Sequence, residues 1–166
     1  MNKNSIIIYY TWSGNTKRIS HLIKEKIECN LFEINPVTAY SENYSICLNQ
    51  AKKDKKAGVT PELKEYPNDL DSYDYIFIGT PIWWHTMVPP LFTFLQNIDL
   101  SGKTIIPFST HGGGGKGTFI KDLKTLCKGS IVLEDLELFG SGGPYLESEI
   151  SGWLEKIGII KNLINC

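Results

Sequence analysis

The chain has 166 residues, which is enough for about one domain with a hydrophobic core of its own. Its formal net charge of -1 leaves neither a basic surface for nucleic acid nor an acidic tail. The apolar runs are far shorter than the ~20 residues that a membrane-spanning helix needs, and the first residues show no apparent cleavage site, so we expect no export signal. We therefore expect one soluble, cytoplasmic domain over residues 1–166 that does not insert into membranes.

The first part of the chain predicts two strands that alternate with two helices. A short apolar run predicts a strand over residues 6–9, and the helical spacing of Ile19 and Ile23 predicts the helix that follows. A second strand is predicted over residues 31–34 and a second helix over residues 40–58. The lysine-rich end of that helix is typical of a solvated helix end, and a docking patch for an acidic partner is the alternative.

The rest of the chain continues the same alternation. Residues 75–79 predict a strand that is apolar at successive positions, as expected of a parallel strand covered on both faces. The remaining predicted elements are a helix opened by Pro89 and Pro90, a strand over 104–109, a helix over 119–126, a strand over 131–139 broken near Glu134 and Asp135, and a helix over 147–156. This alternation predicts an open parallel sheet with helices on both sides, whose ligands lie beyond the carboxyl ends of the strands.

The four cysteines predict reduced thiols rather than a metal site or a disulfide framework. They lie far apart in the sequence, with no Cys-x-x-Cys pair and no histidine at ligand spacing. These cysteines are Cys29, Cys47, Cys127 and Cys166. We expect no bound metal.

The segment TWSGNT, residues 11–16, lies where the first strand turns into the first helix. Hydroxyl residues, glycine and asparagine in that position build a nest of backbone N–H and hydroxyl donors, which suits a phosphate monoester. Lys17 and Arg18 follow, but the loop itself carries no positive charge. A phosphate dianion would therefore be held by oriented dipoles rather than by a salt bridge.

The segment TPIWWHTMVPP, residues 80–90, places two indoles side by side after the third strand. Adjacent residues of an extended loop point in opposite directions, so one of Trp83 and Trp84 can face the core while the other flanks a ligand. A flat heteroaromatic ring is the natural partner, since offset stacking adds roughly 0.5–1.5 kcal/mol beyond the burial of area. The alternative is that both indoles pack only in the core or at an interface.

The segment STHGGGGKGT, residues 109–118, follows the fourth strand and contains four consecutive glycines. Such backbone either approaches a ligand closely or forms a flexible turn, because glycine adopts φ > 0 at little cost. The spacing around Lys116 does not fit the phosphate loop of nucleotide hydrolases. The HGGG run lacks a Gly-x-Ser-x-Gly nucleophile anywhere in the chain, which argues against hydrolysis of the esterase type.

Together, the three segments at successive strand ends resemble those of the flavodoxin family, and the resemblance extends along nearly the whole chain. It implies a three-layer, doubly wound, five-stranded parallel sheet in the order 2-1-3-4-5 and one non-covalent FMN. The first loop would hold the ribityl phosphate, and the other two would sandwich and hydrogen-bond the ring. The implied cofactor-binding residues are Thr11, Trp12, Ser13, Gly14, Asn15, Thr16, Thr80, Pro81, Ile82, Trp83, Trp84, His85, Ser109, Thr110, His111, Gly112, Gly113 and Gly114.

The second loop departs from the family pattern at His85, where similar proteins often have glycine. In the family, a peptide of this loop turns to accept a hydrogen bond from the reduced flavin. A residue other than glycine makes φ > 0 costlier by roughly 1 kcal/mol or more, which would weaken that stabilisation. The two ring loops also lack Asp and Glu, so we expect a reduction potential less negative than that of an acidic electron carrier.

The resemblance leaves three classes of function open, in this order of preference. The first is an FMN-dependent electron carrier that docks with a redox partner protein. The second is a flavoenzyme of the same fold that takes hydride from NAD(P)H and reduces a quinone or another small acceptor. The third is a binding or regulatory module without redox use. Spacing assigns no catalytic residue, and His111 and His85 are the candidates for a proton or hydrogen-bond donor.

Overall fold

The computed structural model describes residues 4–161, in which a parallel sheet lies between two layers of helices. Its elements are β1 (Ser5–Tyr9), α1 (Asn15–Ile27), β2 (Asn30–Glu33), α2 (Tyr44–Ala57), a short 3-10 helix (Leu70–Ser72), β3 (Tyr75–Trp83), β4 (Thr86–Met87), α3 (Pro89–Gln96), β5 (Thr104–His111), α4 (Phe119–Leu126), β6 (Ile131–Val132), β7 (Leu136–Phe139) and α5 (Leu146–Lys156). None of these helices is long and apolar enough to cross a membrane.

The order of the parallel strands confirms the predicted topology. The strands run β2-β1-β3-β5, and both β6 and β7 pair with the outer edge of β5. The last two are the halves of the predicted fifth strand, separated at residues 133–135 where the break was expected. The additional β4 is the short second arm of a hairpin that pairs antiparallel with the end of β3.

The central strands are buried on both faces, which explains their continuous apolar sequences. Ile6 and Ile8 of β1 face one side and contribute to a cluster with α3 and α4. Ile7 faces the other side, where it joins a cluster with residues of α1 and α5. Complete burial of an aliphatic side chain of this size stabilises the fold by about 1.5–3 kcal/mol. The two clusters together make the sheet a rigid support for the loops at its carboxyl edge.

Three boundaries differ from the sequence prediction in ways that matter for the loops. The predicted start of α2 is wrong, because Asn43 caps the helix by accepting a hydrogen bond from the Ile46 N–H at 3.2 Å, so the helix begins at Tyr44. Strands β3 and β5 continue further than predicted, and Pro81 pairs with Thr110. The first residues of the second and third predicted loops, 80–90 and 109–118, are therefore held in the sheet.

The buried thiols predict that stability falls at alkaline pH. Burial raises the pKa of Cys29, Cys47 and Cys127 to about 11. These thiols keep their protons in the folded state at pH values where the unfolded chain loses them. Their contribution to stability is therefore complete below the ordinary thiol pKa of about 8.5 and is lost as the pH rises toward 11.

We expect the free energy of unfolding in urea to decrease steadily between about pH 8.5 and pH 11. A Cys127→Ala variant should show a shallower decrease than the parent protein, because one of the shifted groups is gone. A profile that stays flat or rises over this range would contradict the assignment.

Candidate functional site

The carboxyl edge of the sheet carries a cavity of about 470 Å³, formed where the three predicted loops meet. This volume lies within the range of roughly 300–1,000 Å³ that is usual for small-molecule and cofactor sites. The cavity is lined by Trp12, Ser13, Asn15, Tyr44, Leu48, Pro81, Ile82, Trp83, Trp84, His85, Thr110, His111, Gly112, Gly114, Gly115 and Gly140.

Most of the residues expected to bind a cofactor line this cavity, and six do not. Those six are Thr11, Gly14, Thr16, Thr80, Ser109 and Gly113. Thr80 and Ser109 lie fully buried beneath the lining, and the Ser109 hydroxyl is a buried side-chain group without a hydrogen-bond partner among residues 4–161.

The structure adds four lining residues that sequence reasoning missed, namely Tyr44, Leu48, Gly115 and Gly140. Gly140 directly follows β7 at the same edge of the sheet, so a systematic search of strand ends would have found it. Tyr44 and Leu48 belong to α2, and no local pattern indicates that this helix flanks the cavity.

The first loop presents the start of α1 to the cavity. Gly14 occupies the N-cap position with φ 89°, and no side chain caps the helix. The Gly14 N–H donates to the Thr11 hydroxyl at 3.1 Å, which shapes the loop. The amides of the first turn remain available to an anion, which the positive end of the helix dipole favours.

The two cations next to this loop are occupied elsewhere. Lys17 forms an ion pair with Glu33 at 2.9 Å, and Arg18 donates to the Ser141 carbonyl at 2.8 Å. The helix start thus presents a cup of amides and hydroxyls, and neither of these two side chains points to it. A hydrogen bond of 3.0 Å between the Thr16 and Thr110 hydroxyls joins this cup to the end of β5.

The second loop is a tight hairpin in which Trp83 pairs with Thr86. The two residues between them, Trp84 and His85, both have positive φ, 51° and 66° respectively. Two successive positive φ values are typical of a type I′ turn, which normally uses Asn and Gly because side chains are strained there. His85 thus adopts the positive φ that is costly for a residue other than glycine, and Trp84 does so as well.

Helix α2 holds the Trp84 side of this turn. The Lys55 ammonium donates a hydrogen bond to the Trp84 carbonyl. The Trp84 indole N–H donates to the Leu48 carbonyl at 3.1 Å. The Lys52 ammonium lies 5.1 Å from the centre of the Trp84 ring, within the range of a cation–π interaction. The lysine-rich end of α2 is exposed, as expected, but two of its side chains also position the hairpin.

The start of α4 and the segment before it hold the His85 side of the turn. The Thr118 N–H donates to the His85 carbonyl at 2.8 Å. The Asp122 carboxylate accepts hydrogen bonds from the hydroxyls of Thr86 at 2.5 Å and Thr118 at 2.6 Å. Gly117 lies so close that a Cβ atom there would meet the His85 carbonyl oxygen at 2.0 Å. The strained turn is thus fixed on both flanks by its neighbours.

Both indoles of the second loop line the cavity, and Trp83 also packs against the buried core cluster. Trp83 is thus the indole nearer the core, and contact of the other indole with a ligand stays a prediction. Trp83 is supported from behind by edge contacts with Tyr10, at 5.8 Å between ring centres, and Tyr40, at 5.1 Å. Trp84 is the more open of the two, with 36% of its surface exposed.

The third loop is organised by His111 and by a carboxylate from β7. The His111 Nδ1 accepts a hydrogen bond from the Gly113 N–H at 3.1 Å, and its Nε2 lies 3.4 Å from the Glu137 carboxylate. Glu137 also accepts from the Lys116 N–H at 3.0 Å. Asp135 pairs with the Lys116 ammonium at 2.8 Å and is the main cause of the raised pKa of that lysine.

These contacts bear on both histidines proposed as donors. The His111 Nδ1 already accepts a hydrogen bond, and its Nε2 lies near the Glu137 carboxylate, although the residue lines the cavity. His85 lines the cavity from the turn. Within the part of the chain that the structure describes, no cluster of His, Cys, Asp and Glu could hold a metal ion.

The close approach of Gly117 to the hairpin gives a test of how the turn is supported. We expect Gly117→Ala to reduce the free energy of unfolding by about 2 kcal/mol or more, because the new Cβ would collide with the His85 carbonyl and the backbone has φ 54°. Gly112→Ala in the same loop is the matched control, since a Cβ at that position meets nothing within 4 Å. Equal urea denaturation midpoints for the two variants would contradict this description.

The comparisons with known proteins agree with this architecture. A family model described as Flavodoxin matches residues 4–157. A structure described as a flavoprotein from Bacteroides eggerthii is 26% identical, with a TM-score of 0.79, and covers 95% of this chain and 99% of its own. A similar one from Bacteroides uniformis is 26% identical, with a TM-score of 0.77, covering 92% and 97%.

A third solved structure is a flavoprotein from Lactobacillus acidophilus in complex with FMN. It is 24% identical, with a TM-score of 0.70, and covers 91% of this chain and 98% of its own. A search of curated proteins gives no match. The family model spans nearly all of the described chain, and the fold has the strand order expected from the resemblance. This chain belongs to the flavodoxin family.

Proposed function

We propose that this chain binds one FMN in the cavity between the three loops and acts as an electron carrier. The observation that carries the proposal is the division of a single cavity into two chemically different ends. One end is the uncharged start of α1, and the other is walled by Trp83 and Trp84. A ligand with a phosphate at one end and a flat aromatic system at the other matches both.

The phosphate end suits a phosphate monoester that is held without a cation. The cavity lining includes Ser13 and Asn15 next to the helix start, which supply donors in addition to the backbone amides. Thr16 is buried below the helix start, where its hydroxyl bonds to Thr110. It would therefore support the phosphate end of the cavity from below. The FMN present in the Lactobacillus acidophilus flavoprotein supports the same cofactor here.

The ring end suits a planar heteroaromatic system. Trp83 is braced by two tyrosines, and Trp84 is fixed through its indole N–H and carbonyl, so both walls keep their orientation when a ring enters. Bound FMN would supply the one-electron and two-electron redox chemistry. The chain would position the ring, limit the access of water and leave an edge open toward a partner.

A second candidate function is an NAD(P)H-dependent flavoenzyme that reduces a quinone or another small acceptor. The glycines at positions 112–114 are exposed and carry no side chains, which leaves room for a second flat molecule beside the ring. The carrier is preferred because the His111 ring is held by the Gly113 N–H and lies beside the Glu137 carboxylate, rather than being free to donate a proton to a second molecule.

Comparison of FMN with riboflavin tests the phosphate cup, because riboflavin has the same ring without the phosphate. We expect FMN to bind at least about 100-fold more tightly, which corresponds to about 2.7 kcal/mol, a plausible sum for several charge-assisted hydrogen bonds. Ser13→Ala should weaken FMN binding by roughly tenfold and leave riboflavin binding unchanged. Equal affinity of the parent protein for both ligands, measured by fluorescence titration, would rule out this cup.

Anaerobic mixing with NADPH or NADH separates the two candidate functions. For a carrier, the flavin absorption band should persist for many minutes with either nucleotide and should bleach only after a partner reductase is added. Rapid bleaching by the nucleotide alone would favour the enzyme instead. Dithionite, which reduces the flavin in either case, is the control that the cofactor is redox-competent.

A further inference from the structure

A line of three side chains leads from the cavity to a second depression on the protein surface. Trp83 lines the cavity, and its ring meets the ring of Tyr40 edge to face with 5.1 Å between centres. The Tyr40 hydroxyl donates to the Asp54 carboxylate at 2.6 Å. The depression measures about 390 Å³ and is lined by both Tyr40 and Asp54.

We propose that Trp83, Tyr40 and Asp54 form a proton-coupled electron relay that connects the flavin cavity with this surface depression. The light-driven form of the relay rests on the proposed binding of FMN. The contacts among the three side chains are part of the folded chain and do not depend on the cofactor.

The relay works in two electron transfers and one proton transfer. With FMN bound and photoexcited, Trp83 would give one electron to the flavin, and the oxidised indole would take one electron from Tyr40. An oxidised phenol is a very strong acid, so its proton passes along the existing hydrogen bond to the Asp54 carboxylate. The products are a flavin with one additional electron, a neutral Tyr40 phenoxyl radical and a protonated Asp54.

A small one-electron reductant in the depression completes the sequence. It donates one electron to the Tyr40 radical, which recovers its proton from Asp54, and the net result is one electron moved from the reductant to the flavin. The lining places Lys53 beside the carboxylates of Asp54 and Glu62, which favours a small neutral reductant, such as a hydroquinone, over an anionic one. The class of reaction is therefore light-driven reduction of the bound flavin by a surface donor.

A comparison of Tyr10 with Tyr40 shows why the relay needs the Asp54 carboxylate. The Tyr10 ring also meets the Trp83 ring at 5.8 Å, but among residues 4–161 no carboxylate accepts a hydrogen bond from the Tyr10 hydroxyl. Burial is the main cause of the raised pKa of Tyr10, and burial together with the bond to Asp54 raises that of Tyr40. Loss of an electron would leave the Tyr10 proton without an acceptor, so the relay runs through Tyr40.

Laser-flash spectroscopy of the FMN-loaded protein tests the light-driven form. We expect the optical and electron paramagnetic resonance signals of a neutral phenoxyl radical in the parent protein and in Tyr10→Phe, and their loss in Tyr40→Phe. Asp54→Asn keeps a hydrogen-bond acceptor but removes the proton acceptor, so the radical yield should fall by about tenfold. Thermal unfolding and FMN affinity of each variant establish that it is folded and loaded.

Pulse radiolysis of the FMN-free protein tests the same path independently. Azidyl radicals oxidise indoles first, and we expect a rapid intramolecular conversion of indole radical into phenoxyl radical. This conversion should disappear in Tyr40→Phe and in Trp83→Phe and should persist in Tyr10→Phe. If the protein does not bind FMN, the proposed function fails while this experiment still tests the relay.

The relay would be overturned by an unchanged phenoxyl signal in Tyr40→Phe, or by equal losses in the Tyr40→Phe and Tyr10→Phe variants. It would also be overturned if the parent protein, with FMN bound, gave no phenoxyl signal at all. Any of these results leaves the proposed binding of FMN intact, because that is measured separately by titration.

Discussion

The site depends on one strained turn that two neighbouring helical regions hold in place. Trp84 and His85 adopt backbone angles that neither residue favours, and the strain persists because their carbonyl groups accept hydrogen bonds from Lys55 and Thr118. Removal of either donor would leave the turn free to relax. The orientation of the cavity wall is thus a property of α2 and the start of α4 as much as of the loop itself.

The sheet below supplies the second constraint, because strands β3 and β5 continue into the loops. The pairing of Pro81 with Thr110 places the roots of the second and third loops next to each other. Aliphatic side chains buried on both faces of the sheet hold those roots rigidly. The ligand would therefore meet a cavity that is largely formed before binding, which reduces the entropy lost on association.

The fold could be predicted from the sequence because its signals are local. Continuous apolar runs identify the central strands, and the expected break in the last strand appears between β6 and β7. The geometry of the site could be predicted only in part. A type I′ turn carries no signal at Trp84 and His85, since Asn and Gly are absent, and Glu137 reaches His111 only because β7 aligns beside β5. Both depend on tertiary contacts, and so does the position of α2.

The bond between the Thr16 and Thr110 hydroxyls has a mechanical consequence. One hydroxyl belongs to the first turn of α1, and the other to the strand that ends at His111. Both side chains are almost completely buried, so water does not readily replace either partner. This buried hydrogen bond therefore links the start of α1 directly to the end of β5, so that a shift of the helix start would act on the strand that leads into the glycine-rich segment.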